Sequence, residues 1–131
     1  MKVEELLESC INAKYGNFTD LELFNFMGVY IIYETETQIV VYIGSAYART
    51  ISKRLKQYLS STDTGNTLGK SIAKALAGSE TYDICAQGKI FEAVRKIKND
   101  FSIIAIPHKD LEYKLIANAN PIYNNNGKAE D

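Results

Sequence analysis

Two tripeptides constrain the fold more than any other feature of this chain: Gly28-Val29-Tyr30 and Tyr42-Ile43-Gly44. The run from Val29 to Glu34 is apolar and β-branched, residues 35–38 form a polar turn, and Ile39 to Ile43 is a second β-branched run. This pattern predicts a β-hairpin with the tripeptides at its outer ends. A hairpin of this length brings those ends side by side, so Tyr30 and Tyr42 are expected to lie near each other.

Other elements follow from periodicity. Residues 2–14 read as a short amphipathic helix, with Val3, Leu6, Leu7, Cys10 and Ile11 at helical spacing, ended by Tyr15-Gly16-Asn17. After the hairpin, a loop and then a helix occupy residues 46–60, with Ser52 as N-cap and Leu55, Tyr58 and Leu59 on one face. Residues 60–66 read as a polar, mobile loop. Further helices are expected over 68–77, ended by Gly78, over 90–98, and over 110–119. Phe101 to Ile106 is a continuous apolar strand closed by Pro107, and residues 121–127 form an extended, Asn-rich end. The expected fold class is α+β, a small three-stranded, mostly antiparallel sheet flanked by helices.

The chain has 131 residues, enough for one domain with a modest core. No apolar run approaches the roughly 18 residues of a membrane span, and the acidic N-terminal stretch has no signal-peptide pattern. A cytoplasmic, intracellular protein without membrane contact is expected. Cys10 and Cys85 read as reduced, partly buried thiols; with a single histidine, His108, they cannot fill a structural zinc site. The net charge of −1 argues against a dedicated nucleic-acid coat, but its distribution is uneven. Residues 1–27 are acidic, whereas residues 45–77 carry Arg49, Lys53, Arg54, Lys56, Lys70 and Lys74 against Asp63 alone. Such a basic surface fits transient engagement of a polyanion.

Taken in order, the two tripeptides, Lys53-Arg54-Leu55-Lys56-Gln57-Tyr58, Glu112 within Leu111-Glu112-Tyr113-Lys114-Leu115-Ile116, and Asn120-Pro121-Ile122-Tyr123-Asn124 resemble the GIY-YIG nuclease family. The C-terminal part is similar to the nuclease half of the bacterial excision-repair incision protein. The stretch from Asn66 to His108 also looks like small stand-alone GIY-YIG proteins of bacteria and phages. The resemblance covers residues 26–127, leaving an N-terminal helical extension over 1–25 and a charged tail over 128–131.

The resemblance implies a metal-dependent DNA endonuclease in which water attacks a phosphodiester with help from a tyrosine. Its catalytic set here is Tyr30, Tyr42, Arg54, Tyr58, Glu112 and Asn124. Glu112 is the implied ligand of one magnesium or manganese ion, since a single carboxylate suffices where water and phosphate oxygens complete the shell. Arg54 is the implied phosphate clamp, with Arg49 as a rival. Tyr30 is preferred as general base and Tyr42 as the residue that positions the water, with the reverse assignment open. Gly28 and Gly44 read as backbone requirements, and Asn124 as the tie between the last loop and the active face. Arg49, Lys53, Lys56, Lys70 and Lys74 are expected to grip duplex or branched DNA; sequence specificity would call for the 60–66 loop, a homodimer or an accessory partner. Departures from the family pattern are Ser45, where some relatives carry lysine, and Tyr58, where several carry histidine. The alternative reading is a catalytically inactive nucleic-acid-binding module of the same fold.

Overall fold

The structure is a computed structural model that describes residues 1–9, 12–107, 119 and 121–124. Its centre is a four-stranded antiparallel sheet: β1 (Lys14–Asn17), β2 (Gly28–Glu34), β3 (Val40–Ala46) and β4 (Phe101–Ile106), in the spatial order β1-β4-β2-β3. The fold class is the expected α+β arrangement, with one strand more than the hydrophobic pattern shows. Lys-Tyr-Gly-Asn at 14–17 has no apolar alternation of its own. It becomes a strand by pairing with β4, Lys14 opposite Ala105 and Asn17 opposite Ser102. The stretch expected as a helix over 2–14 is instead a 3-10 helix, Val3–Ser9, followed by this strand.

β2 and β4 are the inner strands, and alternation sends their side chains to two cores. Tyr30, Ile32, Phe101, Ile103 and Ala105 pack on one face with Leu55, Tyr58, Leu68, Ile72, Ala93 and Ile97. Val29, Ile31, Ile104 and Ile106 face the other way, with Val3, Leu6, Val40, Ile43 and Ala119. The helices over the first face are α1 (Ile51–Gln57), α2 (Thr67–Ala77), α3 (Ile84–Gln87) and α4 (Ile90–Asp100). A further 3-10 turn, Leu21–Phe24, buries Leu21 and Phe24 there. α3 went unread because four residues carry no helical period; Asp83 caps it by accepting from the Ala86 N–H.

The α1 cap is Thr50, not Ser52: the Lys53 N–H reaches the Thr50 hydroxyl at 3.3 Å, and Ser52 lies buried inside the helix. Gly78 ends α2 in the left-handed conformation, as expected. Cys85 is a free, exposed thiol rather than a partly buried one; Cys10 lies outside the described residues.

The outer edge of β3 is covered from Val40 to Ile43. The Val40 N–H donates to the Met1 carbonyl at 2.9 Å, and the Tyr123 N–H donates to the Val41 carbonyl at 3.0 Å. The Asn124 side chain receives the Ile43 N–H at 2.7 Å and donates to the Ile43 carbonyl at 2.6 Å. One amide thus does what a neighbouring strand would do. Among the described residues, no helix is long and apolar enough to cross a membrane.

Candidate active site

The hairpin register places the two tyrosines. Tyr30 pairs with Gly44 and Ile32 with Tyr42, so Tyr30 and Tyr42 share a face but are not direct partners. Regular pairing from Gly28–Ala46 to Ile32–Tyr42 puts Tyr42, Gly44 and Ala46 on the same side as Tyr30; it then skips Val41, since Tyr33 opposes Val40. The ring centroids of Tyr30 and Tyr42 are 6.4 Å apart, nearly parallel.

Both glycines are steric necessities. A Cβ on Gly44 would overlap the Tyr30 phenol, which crosses the strand at that point. A Cβ on Gly28 would overlap the Ile106 carbonyl and stand 2.9 Å from the Pro107 Cα, where backbone cannot yield. Each tripeptide glycine makes room for a neighbouring element.

α1 supplies Arg54 and, at its end, Tyr58. Tyr58 is fully buried and its hydroxyl is hydrogen-bonded to that of Tyr30. Its ring centroid is 6.1 Å from that of Tyr30 and 5.8 Å from that of Tyr42, the latter edge-on. The Arg54 guanidinium lies 5.0 Å from the Tyr58 ring centre, within cation–π range. Its Nη1 donates to the Gly65 carbonyl at 2.9 Å and to Gln57 Oε1 at 2.5 Å, and its Nη2 donates to Thr67 Oγ1 at 3.3 Å. The Tyr42 hydroxyl meets the same Thr67 oxygen at 3.3 Å. Tyr30, Tyr42, Arg54 and Tyr58 thus converge on one hydrogen-bonded cluster.

The phenols differ in access. Tyr30 is 1% exposed and Tyr42 is half-buried. Burial, reinforced by neighbouring Tyr42, pushes the Tyr30 phenol well above its ordinary range, against the opposing pull of its Tyr58 hydrogen bond and of Arg54. Burial and the Tyr30 phenol raise Tyr58 in the same way. For Arg54, burial disfavours the charge but the three phenols together outweigh it, so the guanidinium stays charged.

The loop expected to be mobile is closed by its own hydrogen bonds. Asn66, 1% exposed, donates to the Ser60 carbonyl at 2.7 Å and the Tyr58 carbonyl at 3.2 Å, and accepts from the Gly69 N–H at 2.8 Å. Asp63 accepts from the Gly65 N–H at 2.7 Å. The loop therefore presents the Gly65 carbonyl and Thr67 to Arg54 in fixed positions. Gln57, Gly65, Asn66 and Thr67 are the residues the sequence reading missed. The one signal for them is an Asn-Thr pair at a helix start, which reads equally as capping.

Of the basic residues, Arg49, Lys53 and Lys56 are exposed on and just before α1. Lys74 is half-buried. The Lys70 ammonium is engaged within the fold: it donates to the Thr64 carbonyl at 2.9 Å and sits 5.5 Å from the Tyr82 ring centre. Glu112 and His108 lie outside the described residues. Among the described residues, no group of three or more His, Cys, Asp or Glu side chains comes together. The Gly65 carbonyl, the Gln57 amide oxygen and the Thr67 hydroxyl are taken up by the Arg54 guanidinium, so these oxygens hold the arginine and a metal would depend on a carboxylate, phosphate and water.

No curated protein and no solved structure matches this chain. A family comparison matches residues 26–126 to the GIY-YIG catalytic domain. The match begins just before the first tripeptide and takes in the hairpin, Arg54, Tyr58 and Asn124, the elements that build and border the cluster. The chain therefore belongs to the GIY-YIG family of nucleases.

Proposed function

We propose that the protein is a divalent-metal-dependent endonuclease that hydrolyses DNA phosphodiesters, magnesium or manganese serving as the metal. The observation that carries this reading is the convergence of a charged guanidinium and a half-buried tyrosine hydroxyl on one threonine oxygen. Hydrolysis forms a bond from water oxygen to phosphorus and breaks the bond to one sugar oxygen. The attacking water gives up a proton and the leaving oxygen gains one. Arg54 steadies the phosphate oxygens, whose negative charge builds as the water arrives. Tyr42 is the water-side phenol. Tyr30 is sealed behind it against Tyr58, and its burial favours this assignment over the reverse. Tyr58 stacks under Arg54 and ties it to the sheet. Asn124 holds the Ile43 backbone between Tyr42 and Gly44, fixing the direction of the Tyr42 ring.

Glu112 is the carboxylate that the family resemblance assigns to the metal, which when bound supplies charge stabilisation at the scissile phosphate and the leaving oxygen. Arg49, Lys53 and Lys56 lie on the exposed side of α1 and just before it, where they would engage flanking phosphates without reading bases. The test separates binding from cutting. Glu112→Ala should bind DNA like the wild type, with the same salt dependence, and cut none. An equal loss of binding and cutting would count against Glu112 as metal ligand.

A further inference from the structure

We propose that Thr67 is a positioning residue that couples the phosphate-binding arginine to the water-side tyrosine. The proposal deepens the nuclease reading above and rests on it. Thr67 Oγ1 lies 3.3 Å from Arg54 Nη2 and 3.3 Å from the Tyr42 hydroxyl. Arginine has no acceptor, so Thr67 must accept from Arg54. Its single hydroxyl proton is then available to the Tyr42 oxygen. Either hydroxyl can donate in the Tyr42 contact, and in both cases the one threonine oxygen joins the guanidinium to the phenol.

The helix start does not need this hydroxyl. Asn66 is the α2 cap, its side chain accepting from the Gly69 N–H. Thr67 itself is anchored by its backbone, donating to the Gly65 carbonyl at 2.9 Å, the same oxygen that receives Arg54 Nη1. Nη1 is held by Gly65 and Gln57 and the guanidinium is also hydrogen-bonded to the Tyr30 phenol; the Thr67 contact adds a hold on Nη2 from the α2 side. Fixing both arms sets the plane in which Arg54 meets a phosphate, and the same oxygen sets where the Tyr42 hydroxyl points. Thr67 acts through these two residues.

The test compares wild type, Thr67→Val and Thr67→Ser on supercoiled plasmid with magnesium, and on branched and single-stranded oligonucleotides, with thermal melting as the check on folding. Valine keeps the shape and removes the hydroxyl; serine keeps the hydroxyl. The expected result is a kcat about tenfold lower for Thr67→Val at an essentially unchanged KM for DNA, with Thr67→Ser recovering most of the loss. Should Thr67→Val fail to fold, Thr67→Ala removes the same hydroxyl and carries the comparison. Wild-type rates in the folded hydroxyl-free variant, or a serine variant as slow as valine, overturn the role of Thr67 and leave the nuclease reading standing. A folded wild type that cuts none of these substrates removes the nuclease reading and this proposal with it.

Discussion

The Tyr30 phenol passes directly over Gly44, its partner across the β2–β3 ladder. The tyrosine of one tripeptide therefore occupies the space that the glycine of the other leaves empty, and this interlock links the two motifs physically. Through it Tyr30 reaches Tyr58, and through Tyr58 the sheet reaches α1 and Arg54.

Gly44→Ala should break the interlock. The new methyl overlaps a ring that is boxed in by Tyr42 and Tyr58, so the strand or the ring must shift. The expected cost is about 1–3 kcal/mol, the range for overpacking a filled core. Urea unfolding of the variant beside wild type measures it, and cutting should fall more than stability because Tyr42 and Arg54 move with the ring.

The Tyr30–Tyr58 hydroxyl pair predicts non-additive substitutions. Tyr30→Phe strands the Tyr58 hydroxyl and should cost about 1–3 kcal/mol, whereas Tyr58→Phe leaves the Tyr30 hydroxyl its Arg54 contact and should cost less. The double phenylalanine variant removes both polar groups and should be less destabilised than the sum of the singles. A double-mutant cycle by chemical denaturation reads the coupling directly.

Stability should fall in alkali through the same pair. Both phenols have folded pKa values raised above the ordinary 10.0, with burial the leading cause. The folded state therefore holds its protons where the unfolded state has begun to release them. Their contribution is fully present below about pH 10 and is lost as the pH rises above it toward the folded values. Urea midpoints measured across this range should drop for wild type and drop less steeply for the double phenylalanine variant, with the share of phenolate absorbance that belongs to Tyr30 and Tyr58 appearing only as the protein unfolds.

Asn124→Asp tests the amide that stands in for a strand. The aspartate can still accept from the Ile43 N–H, but it faces the Ile43 carbonyl with a second acceptor. A loss of about 1–3 kcal/mol is expected from the broken bond and the repulsion, measured by thermal or urea unfolding.

Much of this architecture is legible in the sequence because it is carried by strong local signals. The β-branched runs of the hairpin, the apolar run of β4, and Gly78 after α2 each announce themselves. β1 does not, since Lys14 to Asn17 forms a strand only because β4 offers it an edge. Thr50 displaces Ser52 as cap because the Ile51 N–H is pinned to the Phe26 carbonyl at 2.8 Å, a tertiary contact that sets where α1 begins. The site was legible in part for the same reason. Tyr30, Tyr42, Arg54 and Tyr58 sit at motif spacing, whereas Gln57 joins as the neighbour of Arg54 on α1, and Gly65 and Thr67 join through a loop whose shape comes from the Asn66 side chain. A polar loop reads as loose until its amide partners are known. The unequal burial of Tyr30 and Tyr42 was equally out of reach, because it follows from the strand order, which puts β2 inside the sheet and β3 at its edge, and from the helices packed above.

The most direct measurement is the cutting of supercoiled plasmid, with magnesium and with manganese, by wild type, Tyr42→Phe and Tyr30→Phe, each shown to be folded. Nicking or linearisation by the wild type is expected, with a loss of about 100-fold or more for Tyr42→Phe, the range for removing a group that acts on the proton of the attacking water. Tyr30→Phe should retain more activity, its hydroxyl being sealed from water. A folded wild type that leaves plasmid, branched and single-stranded DNA intact would contradict the nuclease assignment, and a Tyr42→Phe variant as active as wild type would contradict the role given to Tyr42.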